Sequence, residues 1–146
     1  MAMNSQVILS RGKPTTQSSV YLGLTGDLAV DGNYDSFIMQ DKTLTKTCFH
    51  TKSENNPFWK VDLLESFVVD AVIIYNRMDC CTDRIVGSVV ELLNSKDEVI
   101  HKCGVIKEAK DTYYLSCNGK VGNKVRITNP GSKTLHVCEV DVLGIR

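Results

Sequence analysis

The sequence predicts an all-β protein, a single jelly-roll β-sandwich carrying long binding loops. Three observations predict it. Short runs of β-branched residues alternate with polar ones at period two, clusters of turn residues separate them, and no segment keeps a 3.6-residue period over three turns. Regularly spaced short strands of this kind fit a sandwich or jelly roll.

The elements follow in order. From Ser10 to Phe49 polar and turn residues dominate, DGNYDS among them, with little strand pattern. A stretch that long in a compact domain either carries function or is organised by an ion or ligand. The core half begins near Pro57, after the turn SENNP. There Phe58 and Trp59 open a core strand by packing, while Lys60 and Asp62 alternate outward as exposed charges. DAVIIYN (70–76) and GSVVELLN (87–94) have the more continuous apolarity of strands in a sandwich core. EVIHKCG (98–104) and TYYLSC (112–117) follow, joined by the charged connection KEAKD. NGKVGN and NPGS read as turns. Between them Val125 and Ile127 alternate with Lys124, Arg126 and Thr128. In the closing strand Cys138, Val140 and Val142 alternate with Val137, Glu139 and Asp141. His101 and His136 fall in strand-like runs and read as structural or solvent-facing. No repeat or linker divides residues 1–146, which read as one domain.

The totals exclude several function classes. The chain has 146 residues, of which 42% are hydrophobic, enough for a real core. No apolar run approaches the roughly 20 residues that span a bilayer. Seventeen basic residues balance seventeen acidic ones. That balance argues against broad electrostatic binding to nucleic acid or anionic membrane, so a ligand must be met by a local constellation. Six cysteines without a CxxC, and three histidines without a zinc-type pairing, favour disulfides over a metal cluster. Disulfides imply an oxidising, extracellular setting. The opening MAMNSQVILS has neither the basic start nor the apolar stretch of a secretory signal. A mature secreted chain, or one domain of a longer protein, reads this way.

The densest chemistry is NRMDCCTDR, residues 76–84. Its adjacent cysteines have Cα atoms about 3.8 Å apart, below the roughly 4.4–6.8 Å usual for a disulfide. Arg77 and Arg84, following a strand, can aim two guanidinium forks at one point, with Asp79 or Asp83 neutralising them. Guanidiniums only donate, so the matching ligand is rich in acceptor oxygens: a sugar, carboxylate or phosphate. From spacing alone, a surface turn with weak local ion pairs is the plainer reading, and a redox pair at Cys80 and Cys81 is another.

His50, then Arg77, then MDCC and Arg84, resembles the signature of the F-type lectins, which bind fucose. SRGKPTTQSS, AVDGN (29–33), NPFWKVDLL (56–64) and LHVCEVDV (135–142) extend the resemblance over nearly the whole chain. It implies a discoidin-like sandwich and a non-enzymatic lectin for terminal L-fucose on glycans. His50, Arg77 and Arg84 would donate to the axial 4-hydroxyl, the 3-hydroxyl and the ring oxygen, and Asp79 would hold the arginines from behind. Cys80 and Cys81, bonded to each other, would offer a flat, polarisable face to the apolar side of the sugar. The chemistry is apt, because fucose has a hydroxyl-rich edge and a methyl corner, and small-ligand sites divide their labour in this way. A charged planar fork meets adjacent oxygens bidentately, and donors built for one hydroxyl reject epimers that move it.

The chain departs from the family pattern in places. Met78 stands where many members have glycine, and the segment from Asn33 to Cys48 is longer. Phe37 is the candidate for covering the sugar methyl, with packing under the loop as its plain alternative. The resemblance also implies a structural calcium held by Leu28, Asp31, Asn33, Thr47, Cys138 and Glu139, partly through main-chain carbonyls; calcium takes six to eight oxygens in tolerant geometry. By itself DGN is simply a turn. Disulfides Cys48–Cys138 and Cys103–Cys117 are implied likewise.

The rival reading is a discoidin-like protein or lipid adhesion module without the sugar site. An enzyme ranks third, since no nucleophile sits beside a base and no carboxylate pair is spaced for glycoside cleavage. Innate immune recognition or gamete recognition suits the family. Weak single sites imply multivalency, through homo-oligomers or tandem domains.

Overall fold

The computed structural model describes residues 6–146; the first five residues of MAMNSQVILS lie outside them. Thirteen strands and one short 3-10 helix are present among the described residues. In order they are β1 (Val7–Ile8), β2 (Thr15–Gln17), the 3-10 helix (Gly26–Ala29), β3 (Met39–Gln40), β4 (Thr43–Leu44), β5 (Phe49–His50) and β6 (Glu54–Asn55). Then come β7 (Phe58–Tyr75), β8 (Val89–Leu93), β9 (Val99–Val105), β10 (Thr112–Thr128), β11 (Ser132–Lys133), β12 (His136–Val137) and β13 (Glu139–Ile145). The all-β expectation holds.

Two long strands organise the sandwich. The main sheet runs β1-β13-β7-β10-β8-β9, with β2 also on β7, and every pairing is antiparallel. Residues 58–62 of β7 face β2 and the end of β10, whereas residues 68–75 face β13 and the start of β10. The change of partners coincides with Leu64, at φ 72°, and with register shifts in β10. Such bulges bend and twist a strand, which lets one hydrogen-bonded sheet supply both layers. Val61, Val72, Val125, Val140 and Val142, all fully buried, meet in one core cluster with Trp59. Trp59 stacks on Phe49 with ring centroids 5.6 Å apart.

Two sequence readings change. NGKVGN is no hairpin turn; Asn118 and Gly119 take left-handed backbone at φ 56° and 63° inside β10, forming an irregularity within one strand. TYYLSC and the Val125–Ile127 segment are therefore one element. Lys60 is half-buried and pairs with Asp97 at 2.9 Å. His136 is buried.

The short strands build the loop face. β5 pairs with β12, with His50 opposite His136. β3 and β4 form a small hairpin. All three disulfides form with the expected partners, and Cys48–Cys138 ties the loop half to the closing strand. Leu24, Ile38, Cys48 and Cys138 make a second small core beneath these loops.

Candidate functional site

β7 ends at Tyr75, and the chain turns at once into the charged cluster. Asn76 fixes this turn by donating to the carbonyls of Thr82 and Lys110, at 2.9 Å each. Asn129 donates to the Arg84 carbonyl at 2.7 Å. The side chain of Arg77 folds onto Asp79, with Nε to Oδ1 at 2.8 Å and Nη2 to Oδ2 at 3.0 Å. The same carboxylate accepts the amides of Ile38 and Met39, each at 3.1 Å. Burial pushes the Asp79 carboxyl up, but the Arg77 hydrogen bonds and the two amides outweigh it and hold it well below the usual carboxylate range. Asp79 thus staples the β3–β4 hairpin to Arg77. It holds Arg77 as expected, while Arg84 makes no ion pair with it.

Cys81 has φ 62°, a left-handed conformation uncommon outside glycine. The Cys80–Cys81 bridge, with Cα atoms 3.8 Å apart, lies in the wall of a cavity of about 420 Å³. His50, Arg77 and Arg84 line the same cavity. Phe37 does not: its side chain is exposed outside this wall, while its carbonyl accepts Thr45 and Thr47 hydroxyls at 2.9 and 2.8 Å. Tyr21, Leu22 and Leu24 supply apolar wall in its place. Tyr21 arrives because its amide bonds the His50 carbonyl at 2.9 Å and its ring lies 4.9 Å from the imidazole. Nothing in the local pattern of PTTQSSVYLGL marks it.

His50 differs from the expectation in its hydrogen bonding. Its Nδ1 lies 2.6 Å from the Thr51 carbonyl, an acceptor only, so Nδ1 carries the proton. Burial lowers the imidazole pKa, the Thr51 bond opposes this, and the Arg77 and Arg84 charges lower it further. In its neutral form the ring then carries its lone pair at Nε2, an acceptor where the resemblance implies a donor. Behind it lies His136, at 5.0 Å between ring centroids and with neither ring nitrogen hydrogen-bonded. Burial, with His50, Arg77 and Arg84 nearby, pushes His136 down to about 3.

A family of NedA-like, galactose-binding domains matches residues 28–127. Fucolectin-1 of Anguilla japonica is 35% identical over 143 residues, covering 90% of this chain and 77% of that protein. The chain belongs to the fucolectin family. Fucolectin-6 of the same eel is 34% identical over 117 residues, and these span 78% of this chain but 60% of that protein. A Streptococcus pneumoniae fucose binding module superposes with a TM-score of 0.86 at 27% identity, covering 99% of each chain. The discoidin-like fold expected from the sequence is thereby established.

In this chain the residues expected around a calcium ion fall into one neighbourhood. Glu139 is fully buried, and its Oε2 accepts the Gly32 amide at 2.8 Å while its Oε1 has no partner. Burial raises its carboxyl to about 8; the Gly32 bond opposes this, and the Asp31 and Asp141 carboxylates add to it. Asp31 Oδ1 accepts the Asn33 amide and Asn33 Oδ1 accepts the Asp35 amide, both at 2.9 Å, shaping the loop. Thr47 precedes the Cys48–Cys138 bridge, which joins its loop to Glu139. Leu28 packs against that bridge's core. No trio of His, Cys, Asp or Glu is placed for a metal among the described residues. A set of two carboxylates with hydroxyl, amide and main-chain oxygens nevertheless suits calcium, and the orphaned Glu139 oxygen fits a hard cation. Arg11 flanks the group, donating to Tyr34 at 2.8 Å and lying 3.6 Å from Asp141. Sequence reasoning missed Arg11, Tyr34 and Asp141, which enter from three distant segments.

Proposed function

We propose that this chain is a non-enzymatic lectin for terminal L-fucose on glycans, with residues 1–146 acting as one lectin domain. One observation carries the reading: a single cavity joins His50, Arg77, Arg84 and the Cys80–Cys81 bridge. The arginines donate to ring and hydroxyl oxygens, and Asp79 fixes one of them so that little rotamer freedom is lost on binding. His50 accepts a hydroxyl proton at Nε2. The vicinal bridge packs against the apolar face of the ring. A sugar whose axial hydroxyl is moved leaves these groups unpaired, and the resulting penalty sets specificity.

Asp31, Asn33, Thr47 and Glu139, with carbonyls of Leu28 and Cys138, would hold calcium beneath the loops. Such an ion would neutralise the carboxylates of Asp31 and Glu139 and stabilise the loop face, away from the sugar. Three disulfides suit an extracellular, secreted protein, and no helix among the described residues is long and apolar enough to cross a membrane. Fucosylated glycans on microbial or gamete surfaces are the partners, and a weak single site would be used multivalently, in a homo-oligomer or a tandem-domain protein. Competition on a fucosylated glycan surface tests the sugar. L-fucose should inhibit strongly and D-galactose weakly. Inhibition by D-glucose equal to that by L-fucose would contradict the reading.

A further inference from the structure

The cavity is of one electrical sign. Four basic side chains line it, His50, Lys52, Arg77 and Arg84, and no aspartate or glutamate does. The whole chain balances seventeen basic against seventeen acidic residues, so this excess is local. Arg77 is compensated by Asp79 at 2.8 Å, and burial with the neighbouring guanidiniums disfavours a charge on His50. Lys52 and Arg84 are exposed, and neither forms an ion pair among the described residues. The cavity therefore keeps two uncompensated cations. Much of the remaining wall is apolar, including Leu22, Leu24, Ile38, Met39 and Leu44. A cleft of one charge sign with low-dielectric walls focuses its field on whatever enters.

A neutral monosaccharide calls for directional donors and gains little from a second, uncompensated charge. Lys52 is a compact ammonium on a flexible stem, suited to an anion as a point charge. Its backbone is fixed, because its amide donates to Ser19 Oγ at 2.9 Å and its carbonyl accepts the Thr51 hydroxyl at 3.0 Å. We propose that the preferred ligand is an anionic fucoside, bearing either a sulfate ester on the fucose or a carboxylate on the neighbouring sugar. The inference rests on the fucose reading and narrows it: Arg77, His50 and the vicinal bridge hold the fucose ring, while Lys52 and the free side of Arg84 take the anion.

The test is titration calorimetry on the calcium-loaded protein. Its ligands are methyl α-L-fucoside, that fucoside monosulfated in turn at each hydroxyl, and a neutral and a carboxylated fucosyl oligosaccharide of the same linkage. At least one anionic ligand should bind about fivefold tighter than its neutral counterpart at 0.1 M salt, as for one exposed charge pair. The advantage should vanish near 1 M, where the Debye length falls from about 10 Å to about 3 Å. Lys52→Gln should remove it and leave methyl α-L-fucoside binding as in the parent. Whether the sulfates or the carboxylate gain identifies the source of the anion. The proposal is overturned if no anionic ligand exceeds its neutral counterpart, or if the advantage survives both Lys52→Gln and high salt. Failure of the neutral fucoside while a sulfated one binds counts against the fucose reading alone. Binding by none of them overturns both.

Discussion

β7 runs for eighteen residues with β10 and β13 along its sides, whereas between Ser10 and Phe49 no strand exceeds three residues. The sheet is held by repeated burial of period-two apolar side chains and by its ladders. The loop face is held by a few point ties: Asp79 to two hairpin amides, Glu139 to Gly32, Cys48 to Cys138, and Trp59 Nε1 to the Gly26 carbonyl at 3.0 Å. Local stability follows buried apolar contact and ladder density. The sheet should therefore outlast the loop face, and the proposed ligand site sits on the weaker of the two.

Calcium removal should separate the two regions most. If the ion binds the native state at 100-fold over its dissociation constant, chelation costs about 2.7 kcal/mol. Amide exchange should speed up around residues 28–50 well before it does in β7 and β10. Uniform loss of protection, or a melting curve unchanged after verified metal removal, would break the comparison. Asp79→Ala should come next, at about 1.5–3 kcal/mol for lost hydrogen bonds to a charged group. It frees the β3–β4 hairpin and Arg77, so fucoside binding should vanish while the sheet's exchange stays near parental.

Acid should act more gently. The native state holds His136 neutral down to about 3, while the unfolded chain takes up that proton below about pH 6.5. The unfolded state then binds more protons, so stability is present above pH 6.5 and drains away as pH falls, by about 1 kcal/mol at pH 5.5. The test needs the calcium-loaded protein, because without the ion the Glu139 carboxyl, raised to about 8, acts in the opposite sense. A melting temperature that rose on acidification over that range with calcium bound would reverse the sign. Cys80→Ser with Cys81→Ser should move stability least, because a bridge between neighbours closes almost no loop. Fucoside affinity should still fall, as two mobile hydroxyls replace one rigid face. A parental affinity would remove the bridge from the site.

The two regions also differed in how much the sequence disclosed. Alternation at Val125 and Ile127, and at Val140 and Val142, is a local property of the chain, and it placed the strands of the core. NGKVGN misled because the same left-handed Asn and Gly serve a turn or a strand irregularity, and only the partners on β7 decide between them. In the site, Arg77, Asp79 and Arg84 lie within eight residues and were legible together. Tyr21, Lys52 and Thr134 were not, because they reach the cavity through contacts far apart in sequence, such as the Thr51 amide on the Leu135 carbonyl at 2.9 Å. Phe37 has the chemistry to cover a sugar methyl, yet its exposed ring lies outside the cavity wall.

In the proposed site a fixed guanidinium fork, seated on Asp79 beside the vicinal bridge, recognises fucose. Titration calorimetry of Arg77→Lys with methyl α-L-fucoside, alongside its melting curve, tests it most directly. Lysine keeps the charge but loses the bidentate seat and the planar fork. Arg77→Lys should give no measurable heat of binding while still melting cooperatively. Parental affinity in Arg77→Lys would contradict it.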